Sequence, residues 1–323
     1  MLGKSRLQIT NLPIYQIFSS HENQFIVAAA LMRTITSAEE MTAVSREIHR
    51  AGKRLGFVAT MGALHQGHLS LARTARAQAD AVVVSIFVNP AQFGPREDFS
   101  RYPRTFEKDS TLLQAEQVDY IFSPSVEEMY PAGAASWVAV EGLSEQLDGR
   151  SRPGHFRGVT TVVSKLFNII QPDLAFFGQK DAAQVAIIRK MVHDLNFDVR
   201  IVVCPTVREQ DGLAMSSRNV YLSPDERKQA TVLYRSLMRV QTLADQGESN
   251  SAALLAAGKQ VIAEASAVKL DYFEIVNSDT LEPVSDISRG ALVAVAAYVG
   301  NTRLIDNIVL MGVGQVEPLT KQE

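Results

Sequence analysis

Two short segments far apart in the chain, Thr60-Met61-Gly62-Ala63-Leu64-His65-Gln66-Gly67-His68 and Met215-Ser216-Ser217-Arg218-Asn219, carry the residue types that hold a polyphosphate. His65 and His68 stand three apart, so in the first turn of a helix both imidazoles project to one side and can grip a single phosphate. Unpaired N–H groups and the positive dipole end at a helix start favour an anion. Gly62 and Gly67 let the backbone approach a ligand with no Cβ in the way. Attack at phosphorus builds negative charge on its oxygens and on departing pyrophosphate, and donors already aimed there lower the barrier. An imidazolium could also give up its proton. The serines, amides and guanidinium of Met215 to Arg218 suit the polyphosphate tail, following a polar loop, Arg208-Glu209-Gln210-Asp211-Gly212, that is expected to move. The chemistry indicated is nucleotidyl transfer.

Two more clusters repeat the theme. Ser85-Ile86-Phe87-Val88-Asn89-Pro90-Ala91-Gln92-Phe93-Gly94 leaves an apolar run and offers the Gln92 amide to a polar ligand. Phe177-Gly178-Gln179-Lys180-Asp181 does the same, with Gly178 for close approach, Lys180 for phosphate and Asp181 for ribose hydroxyls. Plainer readings exist for each. A His-x-x-His pair can bind zinc or simply pack, yet no nearby Cys, third His or helical Glu completes a tetrahedral set. Gln92 can stabilise its own loop, Asp181 can cap a helix beside a solvated lysine, and the serine segment can be surface. Independent segments repeating one theme weigh against coincidence.

The elements that must position these residues follow from hydrophobic period. From Leu55 onward, strands (Leu55 to Ala59, Ala81 to Val88, Val118 to Phe122, Asp173 to Phe177, Val199 to Cys204) alternate with helices (Leu69 to Ala79, Phe106 to Gln117, Val159 to Ile170, Asp181 to Leu195). This βαβ pattern predicts an α/β fold, a doubly wound Rossmann-like parallel sheet whose ligand sits outside the carboxyl ends of the strands. After Pro205 the pattern changes to helices Asp225 to Gln246 and Ala252 to Ala265, then strands Leu270 to Val276, Ala291 to Val299 and Arg303 to Leu310, a smaller α+β C-terminal domain.

The expected division is an extension over 1–31, a nucleotide-binding domain over 32–206 and a smaller domain over 207–323, since one core seldom grows past roughly 250 residues. Met32-Arg33-Thr34-Ile35-Thr36-Ser37 runs into a capped helix, Ala38 to Ala51, so Met32 is read as the natural start and 1–31 as a disordered piece rather than a signal peptide. An intact mass from the native host that begins at Met1 would contradict this. The 46% hydrophobic and 21% charged composition is that of an ordinary globular protein. A net charge of −3 without a basic block argues against nucleic acid, and no apolar stretch reaches the roughly 20 residues of a membrane span. Cys204 is the single cysteine, in a run read as buried strand, which excludes an intrachain disulfide and fits a reducing cytoplasm.

At these residues the chain resembles the pantothenate synthetases, also called pantoate beta-alanine ligases, within the wider group of nucleotidyltransferases that share His-x-Gly-His. The resemblance runs from Met32 to about Gly314. It rests on Thr60 to His68, Phe87-Val88-Asn89-Pro90-Ala91-Gln92-Phe93, Tyr102-Pro103-Arg104-Thr105, Phe177 to Asp181 and Asp211-Gly212-Leu213-Ala214-Met215-Ser216-Ser217-Arg218-Asn219. It implies condensation of (R)-pantoate with beta-alanine through a pantoyl adenylate, consuming ATP with magnesium and releasing diphosphate and AMP, on the coenzyme A pathway. It further implies a cytoplasmic homodimer.

Carried over by that resemblance, Met61, Gly62, Ala63, Leu64, His65, Gln66, Gly67 and His68 hold ATP, with His68 as proton donor and His65 its partner. Lys180, Met215, Ser216, Ser217 and Arg218 meet phosphates, Gly178, Gln179 and Asp181 the nucleoside, and the backbone of Val207 the adenine. Gln92 and Gln184 meet pantoate, Asn89 and Tyr102 neighbour them, and Asp109 is a weaker candidate for the magnesium shell. The family's usual proline is Ala59 here, and its usual Tyr-Gln is Ala182-Ala183. These departures predict a looser ATP loop, space behind Gln184 and weaker pantoate binding with intact chemistry. The alternatives are an adenylyltransferase acting on another small carboxylate or phosphate ester, a class I aminoacyl-tRNA synthetase, for which no tRNA-binding module or basic face is apparent, and a non-catalytic nucleotide sensor.

Overall fold

A computed structural model describes residues 32–95 and 97–312; the extension expected over 1–31 lies outside the described residues. Six strands, β1 (Arg33–Ile35), β2 (Leu55–Thr60), β3 (Ala81–Ile86), β4 (Tyr120–Phe122), β5 (Leu174–Gly178) and β6 (Arg200–Cys204), form one parallel sheet in the order β1-β4-β3-β2-β5-β6. Their side chains alternate between two buried faces. Leu55, Phe57, Val83, Ala175 and Phe177 pack in a core with the helices Ala38–Arg50, His155–Ile170 and Ala182–Asp194. Val58, Val82, Val84, Leu174 and Phe176 pack in a core with Gln66–Gln78 and Phe106–Ala115. Burial on both faces is why these strands read as continuous apolar runs, and each fully buried Phe, Val or Leu contributes about 1.5–3 kcal/mol.

Successive strands spread outward from β2 in one direction through β3 and β4, and in the other through β5 and β6. The order reverses between β2 and β5, so the crevice for a ligand opens at the carboxyl ends of those two strands. Thr60 and Gly178 are the last residues of that pair.

The C-terminal strands β7 (Val268–Val276), β8 (Ala291–Val299) and β9 (Thr302–Leu310) form an antiparallel sheet with β8 in the middle. Val293, Val295 and Ala297 of β8 pack in a core with the helices Val232–Asp245 and Ser251–Ile262, whereas Leu292, Ala294 and Ala296 join the core beneath the parallel sheet. The smaller sheet thus has no solvent-facing side at its centre, and the described residues belong to one compact unit. The boundary expected near Pro205-Thr206 is where the chain leaves the parallel sheet after Cys204.

Some expectations change. The helix expected over Asp225 to Gln246 is two, Pro224–Ala230 and Val232–Asp245, meeting at Thr231, whose hydroxyl donates to the Lys228 carbonyl at 2.8 Å. The helix expected from Val159 begins at His155, just after Gly154 at φ 83°. The strand β1 precedes the helix capped by Ser37, whose hydroxyl accepts the Glu40 N–H at 3.4 Å.

Candidate active site

β2 ends in a turn where Gly62 and Ala63 take φ 80° and 51°. Two buried anchors hold this turn. The Thr60 hydroxyl donates to the Ser85 carbonyl at 2.7 Å and accepts the Gly62 N–H at 3.2 Å. Asp109, wholly buried on the helix Phe106–Ala115, accepts the N–H groups of Ala63 and Leu64, each at 2.9 Å, and the Thr105 hydroxyl at 3.1 Å. The amides of Ala63 and Leu64 are therefore occupied within the protein, and Asp109 is a brace of the turn rather than an outward-facing magnesium ligand.

His65 is the N-cap of the helix Gln66–Gln78. Its Nδ1 accepts the Gly67 N–H at 3.1 Å, while Nδ1 of His68 accepts the His65 N–H at 3.4 Å, and the ring centroids lie 4.1 Å apart. Accepting at Nδ1 leaves the proton of each neutral ring on Nε2, so both imidazoles present Nε2–H as a donor. Burial, and then the Lys180 ammonium, lowers the pKa of His65 to about 4. Burial, then His65 and Lys180, lowers that of His68 to about 3. Burial and the neighbouring ammonium thus favour the neutral form of both rings. Gly67 leaves room for the His65 ring: a Cβ there would stand 2.8 Å from His65 Cε1. Gln66 is exposed and accepts from Arg73 at 2.7 Å on the outer helix surface.

At the neighbouring strand end, Gly178 leads into a 3-10 turn, Gln179–Asp181, and then the helix Ala182–Asp194. The Lys180 ammonium lies 3.6 Å from the Asp181 carboxylate. The segment over residues 207–219 comes from the C-terminal side of the chain. Its loop is a tied hairpin, not a free one: Glu209 N–H donates to the Leu213 carbonyl at 2.8 Å, and Arg227 bridges Glu209 at 2.6 Å and Asp211 at 2.7 Å. The Val207 carbonyl accepts the Met215 N–H at 3.0 Å. The Ser216 hydroxyl caps the following turn by accepting the Arg218 N–H at 3.2 Å, and Ser217 meets the Tyr102 hydroxyl at 3.3 Å. Arg218 grips Asp98 through Nε at 3.2 Å and Nη2 at 3.1 Å.

The third wall comes after β3. Asn89, 1% exposed, accepts the Ala91 N–H at 3.3 Å and the Tyr130 hydroxyl at 2.8 Å, and donates to Gln92 Oε1 at 2.9 Å. Gln92 in turn donates to the Met61 sulfur at 3.2 Å. Met61, His68, Gln92, Asp181, Gln184 and Arg218 share the lining of one cavity of about 180 Å³, with Ala59 and Tyr102. Ala182 and Ala183 are buried in the main core, while Gln184 lines the cavity.

Arg152 and His155 also line the cavity, and neither is singled out by its sequence context. His155 Nδ1–H donates to the Gln92 carbonyl at 2.8 Å, and its Nε2 accepts from Arg152 at 2.9 Å. Burial, then Arg152, lowers the pKa of His155 to about 4, consistent with that neutral tautomer. The available signal was three arginines and a histidine within Arg150 to Arg157, placed just before a long apolar helix.

A parallel sheet that gathers polar turns around a cavity at its switch point defines an α/β enzyme of the Rossmann-like class. The chain belongs to the pantoate–beta-alanine ligase family, whose profile, described as Pantoate-beta-alanine ligase, matches residues 33–309. It is a ligase that forms a C–N bond. The pantothenate synthetase of Koribacter versatilis is 65% identical over 283 residues, covering 88% of this chain and 97% of that protein. That of Thermotoga neapolitana is 58% identical, over 86% of this chain and 100% of its own length. Among solved structures, pantothenate synthetase from Thermus thermophilus superposes with TM-score 0.82 at 50% identity, covering 86% of this chain and 99% of that one. The pantoate-beta-alanine ligase of Francisella tularensis, solved in complex with beta-gamma ATP and beta-alanine, gives TM-score 0.71 at 33% identity over 86% and 97%.

Proposed function

We propose that the chain condenses (R)-pantoate with beta-alanine in two steps driven by ATP. In the first, a pantoate carboxylate oxygen attacks the α-phosphorus, the bond to the bridging oxygen of the β-phosphate breaks, and diphosphate leaves with pantoyl adenylate formed. In the second, the neutral amine of beta-alanine attacks the acyl carbon, loses a proton, and AMP leaves. The observation that carries this reading is the meeting, at the β2–β5 switch point, of His68 from the histidine turn and Asp181 from the lysine turn beside Gln92 and Gln184 in one cavity.

In this reading the His65 and His68 Nε2–H groups stabilise charge developing on the α-phosphate as hydrogen-bond donors. Lys180 and the Ser216 to Arg218 segment receive the leaving phosphates, with Arg218 exchanging Asp98 for phosphate. Asp181 and Gly178 face the ribose, Val207 the adenine, and Gln92 and Gln184 orient pantoate. Among the described residues no three His, Cys, Asp or Glu side chains stand together as a cation-binding set, and Asp109 is taken by backbone. In this reading magnesium comes with the polyphosphate as part of the substrate, held by its oxygens and water.

The reading extends to a cytoplasmic homodimer divided near Pro205. The family likeness supports the dimer. Gel filtration with light scattering tests the dimer. The reaction is tested by AMP release from ATP, magnesium and pantoate, with and without beta-alanine, beside His68→Ala. Beta-alanine-dependent AMP, lost in the variant, is expected. ATP binding with no AMP under any of these conditions would redirect the reading to another carboxylate.

A further inference from the structure

The turn that carries Lys180 is held from outside its own sheet. Asn307 sits on β9, in the antiparallel sheet, with 4% of its surface exposed. Its Nδ2 donates to the carbonyls of Gln179 and Lys180, each at 2.9 Å, and its Oδ1 accepts Gln179 Nε2 at 3.0 Å. Both amide hydrogens and the amide oxygen are thus engaged on one three-residue turn.

The neighbouring residue ties in the opposite wall. Asp306, 3% exposed, accepts Arg208 Nη1 at 2.6 Å and Nη2 at 3.0 Å, and Arg208 also donates to the Gly212 carbonyl at 3.0 Å. Adjacent positions of β9 therefore brace both the lysine turn and the hairpin that leads into Met215 to Arg218. β9 thus braces the two turns beyond the β5–β6 pairing, which sets Gly178 beside Cys204 where both segments begin.

The geometry points to Asn307 as a positioning residue for the ATP half of the site: it fixes the backbone at Lys180 so that the ammonium is delivered at the polyphosphate. This rests on the ATP role proposed above for Lys180. An alanine at 307 leaves two part-buried carbonyls without their donor, and an aspartate aims carboxylate oxygens at them. Gln92 and the Asn89 turn, on the far wall, keep their own hydrogen bonds in both variants.

The test is a cycle of Asn307→Ala, Lys180→Met and the double variant, read by steady-state kinetics and by calorimetric binding of a non-hydrolysable ATP analogue. Asn307→Ala is expected to raise the ATP KM at least about tenfold and the pantoate KM less than about threefold, while adding less than about threefold on top of Lys180→Met. Arg303→Met, which removes the ion pairs of this β9 residue with Asp148 and Asp271 without touching the turn, is the control for plain destabilisation. It should lower Tm but spare the ATP KM. Asn307→Ser, keeping one hydroxyl donor, is read the same way if the alanine variant melts below assay temperature.

An ATP KM within about twofold of the parent, or effects that multiply fully in the double variant, overturns the inference. Failure of the parent chain to release AMP would instead count against the ligase reading, while the calorimetric cycle would still report on Asn307.

Discussion

His65 and His68 cap one helix reciprocally, each Nδ1 facing a backbone N–H, at 3.1 Å from Gly67 and 3.4 Å from His65 respectively. The arrangement leaves Nε2 of each ring to carry the proton and makes a charged ring costly, since a proton on Nδ1 would confront another donor.

That cost has a pH signature. His65, His68 and His155 are lowered to about 4, about 3 and about 4, against 6.5 unperturbed. As pH falls below the unfolded value, the unfolded chain binds protons that the native one refuses, so stability drops toward acid. Tm is expected to fall by about 3 °C or more between about pH 7.5 and about pH 5. A flat melting profile across that window would mean that the native rings are not neutral.

Asp109→Asn keeps the shape but turns an NH₂ toward one of the two N–H groups that the carboxylate accepts. Loss of that pairing should cost about 1–3 kcal/mol of stability and raise the ATP KM. The magnesium concentration for half-maximal rate should stay unchanged. A magnesium titration that shifts several-fold in this variant would restore Asp109 as a metal ligand.

Gly158 allows the helix His155–Ile170 to lie directly on the turn that carries Gln92; a Cβ there would stand 2.2 Å from the Ala91 carbonyl oxygen and 2.6 Å from the Gln92 nitrogen. Gly158→Ala must displace that turn, with an overpacking cost of about 1–3 kcal/mol. A pantoate KM raised about tenfold with the ATP KM nearly constant is the expected split. Equal rises in both would place the damage in the whole fold rather than at Gln92.

Cys204 closes β6, 2% exposed, and burial pushes its thiol pKa up. The native protein should resist iodoacetamide at neutral pH and label fully once denatured, and Cys204→Ala should keep full turnover. Rapid labelling of the native chain with loss of activity would give the thiol a role in the site.

What the sequence determined by itself is local. Alternating strand and helix periods disclose the parallel sheet, because burial on one or both faces is written into residues two or four apart. Ser37, Gly178 and the His65–His68 spacing mark helix starts and polar turns by the same short-range logic. The three-residue β1 is too short to show a period, and the break at Thr231 interrupts a run whose helical period continues across it.

Only the tertiary structure decided what these groups do. Asp109 meets Leu64 from 45 residues away, Arg218 meets Asp98 from 120 and Asn307 meets Gln179 from 128. No local pattern announces such partners, since each arises where separate elements happen to pack. The charge state of the histidines is likewise a property of the folded interior: desolvation by the assembled walls, with Lys180 alongside, keeps His65 and His68 neutral.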